Sequence, residues 1–231
     1  HRGYRVVSVE ANPSLADHGK MRFSQEISDG NLHIINRALS SREDDVLEFY
    51  IAEANSEWSS LQKWRVEQTG NAIPVHVKSI TLSKIMEEFG VPYYIKCDIE
   101  GADADFVEQL SKLPSEELPP FVSVEGIALQ WLESLASAGY DRVQLVSQAK
   151  IRRGFDPVFK FISSDGVDRE WKFLPHSSGK FGHDLELTKW ISVPEAIRRW
   201  SMFQELKGLD ADMTLDNWFD FHVTKSHTIG Q

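Results

Sequence analysis

Acidic residues follow three apolar stretches that are typical of buried strands. These residues are Glu10, then Asp98 with Glu100, then Glu125. In open α/β sheets, ligands bind beyond the carboxyl ends of the strands. We therefore predict that Glu10, Asp98 and Glu125 lie along one edge of a sheet and line a ligand site.

Glu10 has the residue type that binds nucleosides. A carboxylate at the end of a strand can accept two hydrogen bonds from ribose hydroxyls. A solvated carboxylate in a loop between a strand and a helix would show the same sequence. The position alone therefore favours a nucleoside cofactor and leaves the simpler interpretation open.

Asp98 and Glu100 are separated by one residue, and Gly101 allows a tight turn directly after them. Two neighbouring carboxylates can hold a divalent metal, or raise each other's pKa until one acts as a general base. Acidic residues are also favoured at a helix N-terminus by the helix dipole alone. Lys96, inside the preceding strand, either pairs with one of these acids or extends to solvent. Whether a metal is used stays open.

The elements that would position these acids can be predicted from apolar periodicity and capping signals. The predicted strands are Arg5–Val9, Leu32–Leu39, Val46–Ala52, Val75–Ile80, Tyr93–Cys97, Phe121–Glu125 and Arg142–Val146. One predicted helix follows the Ala11-Asn12-Pro13 turn and a loop and runs up to about Ser28, and another is capped by Thr81 and continues through Phe89. The other predicted helices are Ala102–Leu113, Leu129–Ala138 and Pro194–Leu206. Strands that alternate with helices predict a doubly wound, mainly parallel α/β sheet.

The C-terminal third departs from this alternation. Residues Gly154 to about Leu187 are rich in Gly, Ser, Pro and aromatic residues, which favours a lid over a separate domain. Trp218–Thr224 alternates and is predicted to be a final edge strand. We therefore expect residues 1–150 to form the cofactor-binding domain and residues 151–231 to form a lid and edge-strand extension of it.

Composition excludes several classes of protein. The formal net charge of −10 argues against a nucleic-acid partner. No apolar stretch reaches the roughly 20 residues of a membrane span, so no membrane partner is expected. Cys97 is the single cysteine, which excludes an internal disulfide and favours a cytoplasmic location. The motifs of P-loop enzymes, dinucleotide-binding enzymes and serine hydrolases do not occur.

Four stretches resemble the FkbM family of S-adenosylmethionine-dependent methyltransferases. They are Val9–Pro13 (VEANP), Ile35–Ser40 (INRALS), Ser79–Leu82 (SITL) and Ile95–Asp103 (IKCDIEGAD), and the last is the most specific. The family shows Lys-Ile-Asp-Val-Glu-Gly-Ala-Glu at this last place, so Cys97 and Asp103 are mild departures. The resemblance covers residues 5 to 140.

The resemblance implies a class I, Rossmann-like methyltransferase fold and S-adenosylmethionine as the cofactor. Glu10 would hold the ribose, Ala38 and Leu39 would border the adenine, and Asp98 and Glu100 would lie near the methyl donor and acceptor. The implied activity is O-methylation of a small-molecule or carbohydrate hydroxyl. The fold would then position the acceptor oxygen, and Asp98 or Glu100, with a divalent metal possible, would remove its proton.

One departure from the family is larger. The family's first strand and its glycine-rich loop, Asp-x-Gly-Ala-Asn-x-Gly, would come before His1. We therefore expect the chain to lack that part of the cofactor site. Two other functions remain open on sequence grounds: a binding module that kept the fold and lost activity, and a nucleotide-dependent oxidoreductase, which would need a Gly-x-Gly loop ahead of its ribose-binding acid.

Overall fold

The computed structural model describes residues 2–126, 128–148, 158–174, 177–209 and 219–229. It divides into two compact units. The first unit comprises His1–Gly90, Ile99–Gln109 and Ile162–Arg169, and the second comprises Val91–Asp98, Leu110–Phe161 and Glu170–Gln231. Asp98 and Glu100 therefore belong to different units.

The strands, in chain order, are β1 (Val6–Val9), β2 (Leu32–Ile35), β3 (Ala38–Leu39), β4 (Val46–Ala52), β5 (Ala72–Ile80), β6 (Tyr94–Cys97), β7 (Phe121–Glu125), β8 (Arg142–Ser147), β9 (Phe159–Ile162), β10 (Asp168–Trp171), β11 (Ile191–Ser192) and β12 (Phe219–Thr224). The α-helices are α1 (Pro13–Arg22), α2 (Ser24–Ser28), α3 (Lys63–Glu67), α4 (Leu82–Phe89), α5 (Asp103–Ser111), α6 (Leu129–Ala138) and α7 (Val193–Leu209). β9 and β10 pair only with each other among the described strands.

The first unit begins with a parallel pair, β1 and β2, in which Val6 lies opposite Leu32 and Val9 opposite Ile35. The helix between them starts at Pro13, which has the fixed φ that suits a first helical turn. The Asn12 side chain caps this helix by accepting a hydrogen bond from the Ser14 N–H at 3.0 Å. This cap holds the chain immediately after the first acidic strand end.

A second sheet in the same unit has the order β3-β5-β4, with β3 parallel and β4 antiparallel to β5. Its core is formed by Ala38, Phe49 and Val77. Pro74 lies within β5, where a proline removes one backbone donor. β3 pairs only with Ser79 and Ile80 of β5. On the β3 side of β5, no described strand therefore lies opposite Pro74 and needs its backbone N–H.

The second unit contains a five-stranded sheet of order β11-β8-β12-β7-β6. β6 is parallel to β7, whereas β12 lies between β7 and β8 and is antiparallel to both. One face of this sheet carries an apolar row made of Cys97, Val124, Phe221 and Leu145. Trp200 of α7 packs edge-on against Phe221 with ring centroids 4.8 Å apart, so α7 covers this apolar face.

Several predicted elements differ from the structure. The predicted edge strand is wrong, because β12 is central and buried from Asp220 to Thr224; Trp218 lies outside the described residues. The mainly parallel arrangement is not confirmed, since the sheets are mixed. The single strand predicted over Leu32–Leu39 is two strands, because Leu32–Ile35 pairs with β1 whereas Ala38–Leu39 pairs with β5.

The segment predicted as a lid falls partly outside the described residues, at 154–157 and 175–176. The rest contains the β9–β10 pair and a short 3-10 helix at Gly182–Asp184. Its role as a lid therefore stays a prediction. In the described ranges, no helix combines the length and apolar character that crossing a membrane requires.

Candidate active site

Glu10 follows β1 directly, at the carboxyl end of the strand. Its backbone N–H continues the pairing with β2 by donating to the Ile35 carbonyl at 2.9 Å. The Oε1 atom of Glu10 accepts the Asn12 N–H at 2.7 Å. Among the described residues, the other carboxylate oxygen, Oε2, has no hydrogen-bond partner. Burial raises the pKa of Glu10, and the bond from Asn12 opposes that rise only in part.

A cavity of about 620 Å³ lies beside Glu10 in the first unit. Alternate residues of β1, Val6, Ser8 and Glu10, share one of its walls because side chains two apart on a strand point to the same face. Leu32 and Ile34 continue that wall on β2. The cavity therefore combines an apolar wall with one carboxylate at its strand end.

Ala38 and Leu39, which the resemblance places near an adenine, form β3. The Ala38 side chain is buried in the core with Phe49 and Val77, whereas Leu39 is half-buried. Neither residue lines the cavity beside Glu10. A contact from Ala38 to a ligand would therefore have to come from its backbone.

The turn after β6 is held in an uncommon backbone conformation. Glu100 has φ 49°, in the left-handed region that non-glycine residues seldom adopt. Its carbonyl accepts the Ser60 hydroxyl at 2.6 Å, and its Oε2 accepts the Arg65 guanidinium at 2.7 Å. Ser60 is fully buried. These contacts hold Glu100 within the first unit, where its carboxylate is paired with Arg65.

Gly101 continues this turn with φ 102°, and a β-carbon there would lie 3.1 Å from Gln62 Oε1. The Gln62 amide donates to the Gly101 carbonyl at 2.8 Å, which requires that close approach. Asp103, at the start of α5, accepts the N–H groups of Ile99 at 3.3 Å and Gly101 at 3.1 Å. The Asp103 carboxylate at the start of α5 thus caps this turn.

Asp98 follows β6 in the second unit and pairs with Lys96. The Lys96 ammonium lies 2.5 Å from Asp98 Oδ2. Both side chains are about one-third exposed or less, so the pair lies at the margin of the sheet. Burial acts to lower the pKa of Lys96, but Asp98, Asp220 and Glu125 raise it on balance. Of the two alternatives for Lys96, the structure selects pairing with an acid.

Asp98 and Glu125 lie at the same edge of the five-stranded sheet. Cys97 is opposite Val124 in the parallel pair of β6 and β7, so the next residue of each strand continues at that edge. Glu125 is also opposite Asp220 on β12. No described pairing joins β1 to this sheet, and Glu10 belongs to the other unit. Asp98 and Glu125 therefore lie at the same edge of one sheet, as predicted. That Glu10 also lies there stays a prediction.

A polar row crosses the face of this sheet opposite to the apolar row. Register places Lys96, Ser123, His222 and Gln144 directly opposite one another on β6, β7, β12 and β8. The Tyr94 hydroxyl lies 2.6 Å from Ser123 Oγ, and its ring stacks on Phe181 at 4.5 Å. Polar side chains are thus buried at the centre of this face.

Asp220 and His222 are functional candidates that sequence reasoning missed. Both are almost fully buried, and no described residue hydrogen-bonds to either side chain within normal limits. Burial raises the pKa of Asp220 to about 6, and burial lowers that of His222 to about 3. The Asp-Phe-His spacing was a possible signal, since residues two apart on a strand share a face.

The described residues contain no group of three His, Cys, Asp or Glu side chains placed to hold a metal ion. Asp98, Glu125 and Asp220 occupy neighbouring strand positions without forming such a group. At the carboxyl ends of β6 and β7, the described residues therefore form no metal centre.

The structure is that of a mixed α/β protein in which acidic residues follow or end several strands. The family model for the methyltransferase FkbM domain matches residues 1–141. Because this match spans more than half of the 231 residues, the chain belongs to the FkbM methyltransferase family. No curated protein and no solved structure matches the chain.

Proposed function

We propose that the protein transfers a methyl group from S-adenosylmethionine to a hydroxyl of a small molecule or sugar. Membership of a methyltransferase family supports the reaction class. The observation that carries the proposal is the acidic edge, where Asp98 and Glu125 end adjacent parallel strands. A carboxylate at such an edge can receive the proton that an acceptor hydroxyl must lose.

The fit of the cofactor rests on Glu10. Its Oε1 is fixed by the Asn12 N–H, which leaves Oε2 as an acceptor for a ribose hydroxyl. Its partial burial strengthens a hydrogen bond to the charged carboxylate. When bound, S-adenosylmethionine would supply an electrophilic methyl group, and Glu10 would hold its nucleoside end.

The two acids after β6 have different roles in this proposal. Glu100 is engaged by Arg65 at 2.7 Å and holds the turn. Asp98 is oriented by Lys96 at 2.5 Å and lies at the sheet edge. We therefore assign the general base to Asp98. The acceptor oxygen is positioned for attack at the methyl carbon, and Asp98 takes the hydroxyl proton as the oxygen becomes nucleophilic.

Two experiments test the proposal. Titration calorimetry measures binding of S-adenosylmethionine to the chain. An assay with a labelled methyl group then measures transfer from S-adenosylmethionine to a panel of sugars and small alcohols. Binding with transfer to a hydroxyl is the expected result. Binding without transfer to any acceptor would favour the inactive binding module. Binding of a nicotinamide dinucleotide in place of S-adenosylmethionine would overturn the proposal in favour of the oxidoreductase.

A further inference from the structure

Lys96 faces more than one carboxylate. Its ammonium pairs with Asp98 at 2.5 Å and is also acted on by the charges of Asp220 and Glu125. All four side chains belong to the second unit. Within the described part of the chain, the charges of three acids on this sheet thus act on Lys96.

Sheet register explains how Lys96 on β6 reaches toward β12. Ser123 on β7 lies between Lys96 and His222 in the cross-strand row. Asp220 lies two residues before His222 on β12, so it is on the same face of the sheet as this row and nearer the carboxyl ends of β6 and β7. From there the charge of Lys96 acts on Asp220 across β7.

Asp220 needs a cation for physical reasons. It is 1% exposed, and neither carboxylate oxygen has a hydrogen-bond partner within normal limits of distance and angle among the described residues. A buried charge is costly unless it is paired. Lys96 supplies the positive charge that acts on Asp220, and the nearby Gln148 amide also favours its ionised form.

We propose that Asp220 is a positioning residue that acts through Lys96, sharing its ammonium with Asp98 so that Asp98 can accept the acceptor's proton. This inference rests on the proposed function. While Asp98 is ionised, Lys96 pairs with it. When Asp98 gains the proton, the ammonium keeps its own protons and turns its hydrogen bond to Asp220. The proton moves from the acceptor oxygen to Asp98, and Lys96 and Asp220 change only their contacts.

The charged and titratable groups around Asp220 agree with this arrangement. The charges of Lys96 and Asp98 act on Asp220, and the charge of Asp220 acts on Tyr94. Glu125 on β7 lies opposite Asp220, His222 lies two residues along on β12, and the Gln148 amide follows β8. Burial raises the pKa of Asp220 to about 6, with Asp98 adding to the rise and Lys96 opposing it. Asp220 is therefore ionised near neutral pH, as the shared ammonium requires.

The test measures the pKa of Lys96 by NMR of its side-chain methylene groups, with the resonance assigned from a Lys96→Met variant. Asp220→Asn keeps the shape and removes the charge, and Asp220→Glu keeps the charge. Glu133→Gln removes one carboxylate from the exposed side of α6 in the same unit and serves as the matched control. We expect Asp220→Asn to lower the pKa of Lys96 by about one pH unit relative to Glu133→Gln.

An unchanged pKa of Lys96 in Asp220→Asn, with the folded spectrum retained, would overturn the inference. The second readout is the pH dependence of methyl transfer, whose acidic limb is expected at lower pH in Asp220→Asn and near its original position in Asp220→Glu. A purely structural role would lower the rate without moving that limb.

If the Lys96 pKa shifts but S-adenosylmethionine does not bind, the proposed function fails and the shared ammonium stands. If transfer occurs and the Lys96 pKa does not move, only this inference fails.

Discussion

The Arg65 guanidinium donates to Glu100 Oε2 at 2.7 Å, while the Glu100 backbone lies in the left-handed region at φ 49°. An ion pair that is partly exposed contributes at most about 1 kcal/mol. The left-handed conformation costs about 1–2 kcal/mol for a residue with a β-carbon. Ser60 and Gln62 supply further hydrogen bonds to this turn, so the fold sustains the unusual backbone by several contacts.

Glu100→Gly is expected to be more stable than Glu100→Ala by about 1 kcal/mol. Both variants lose the contact with Arg65, but only glycine adopts a positive φ without steric cost. Urea unfolding of the two variants measures the difference. The same pair of substitutions at Glu133, inside α6, is the control, and there alanine should be the more stable by about 0.5–1 kcal/mol. Equal stabilities at position 100 would show that the turn relaxes.

Glu10→Gln is expected to weaken S-adenosylmethionine binding by about 1–3 kcal/mol, since a charged acceptor of ribose hydroxyls becomes neutral. Burial raises the pKa of Glu10, so wild-type affinity should fall on acidification above the range of an ordinary glutamate. The glutamine variant should show no such fall. Calorimetry at several pH values measures both effects. Glu26→Gln, which also changes the lining of the cavity, should bind like wild type; equal losses in the two variants would refute the role of Glu10.

Asp98→Asn is expected to lower single-turnover methyl transfer by about 10²–10⁴-fold with little change in cofactor affinity. The amide keeps the shape of the side chain but cannot take the proton. Rapid-quench assays with an acceptor found in the panel measure the rate, and calorimetry measures affinity. Asp105→Asn on the exposed side of α5 is the control. A variant at position 98 with full turnover would remove Asp98 from the chemistry.

Asp220→Asn is expected to gain stability over wild type as pH rises from about 4 to 7. The pKa of Asp220 is about 6 in the folded protein and 3.8 in the unfolded reference. Between these values the folded state binds more protons, so the wild-type free energy of unfolding falls as pH rises. Between pH 4 and 7, the free energy of unfolding of Asp220→Asn should therefore rise relative to that of wild type by up to about 3 kcal/mol.

Urea unfolding of both proteins across this pH range gives the measurement. His222, whose pKa is lowered to about 3 in the folded state, makes both proteins less stable as pH falls below its unfolded pKa and largely cancels in the comparison. A difference between the proteins that does not vary with pH would contradict the burial of an ionisable Asp220.

Several elements could be predicted from the sequence to the residue. Val46–Ala52, Phe121–Glu125 and Leu129–Ala138 have the predicted bounds. The helix after Thr81 begins and ends where predicted, because the Thr81 hydroxyl caps it at 3.1 Å and Gly90 ends it. Apolar periodicity and caps are local properties, so neighbouring residues carry the information.

Strand order could not be predicted in the same way. The alternation in Phe219–Thr224 is compatible with an edge strand, and only pairing with both β7 and β8 shows that it is central and antiparallel. Those partners are about a hundred residues away on one side and nearly eighty on the other. Contacts at such separations depend on how the whole chain closes, which no local pattern records.

The sequence by itself determined the family, the acids at the strand ends and the turn after β6, because these are properties of residue type and short spacing. Only the tertiary structure decided which charges meet. It paired Asp98 with Lys96 and Glu100 with Arg65, and it brought Asp220 to the row beside Glu125. The reason is that electrostatic interaction depends on distance and burial. For Glu100 with Arg65 and for Asp220 with Glu125, both are set by contacts between segments that are remote in the chain.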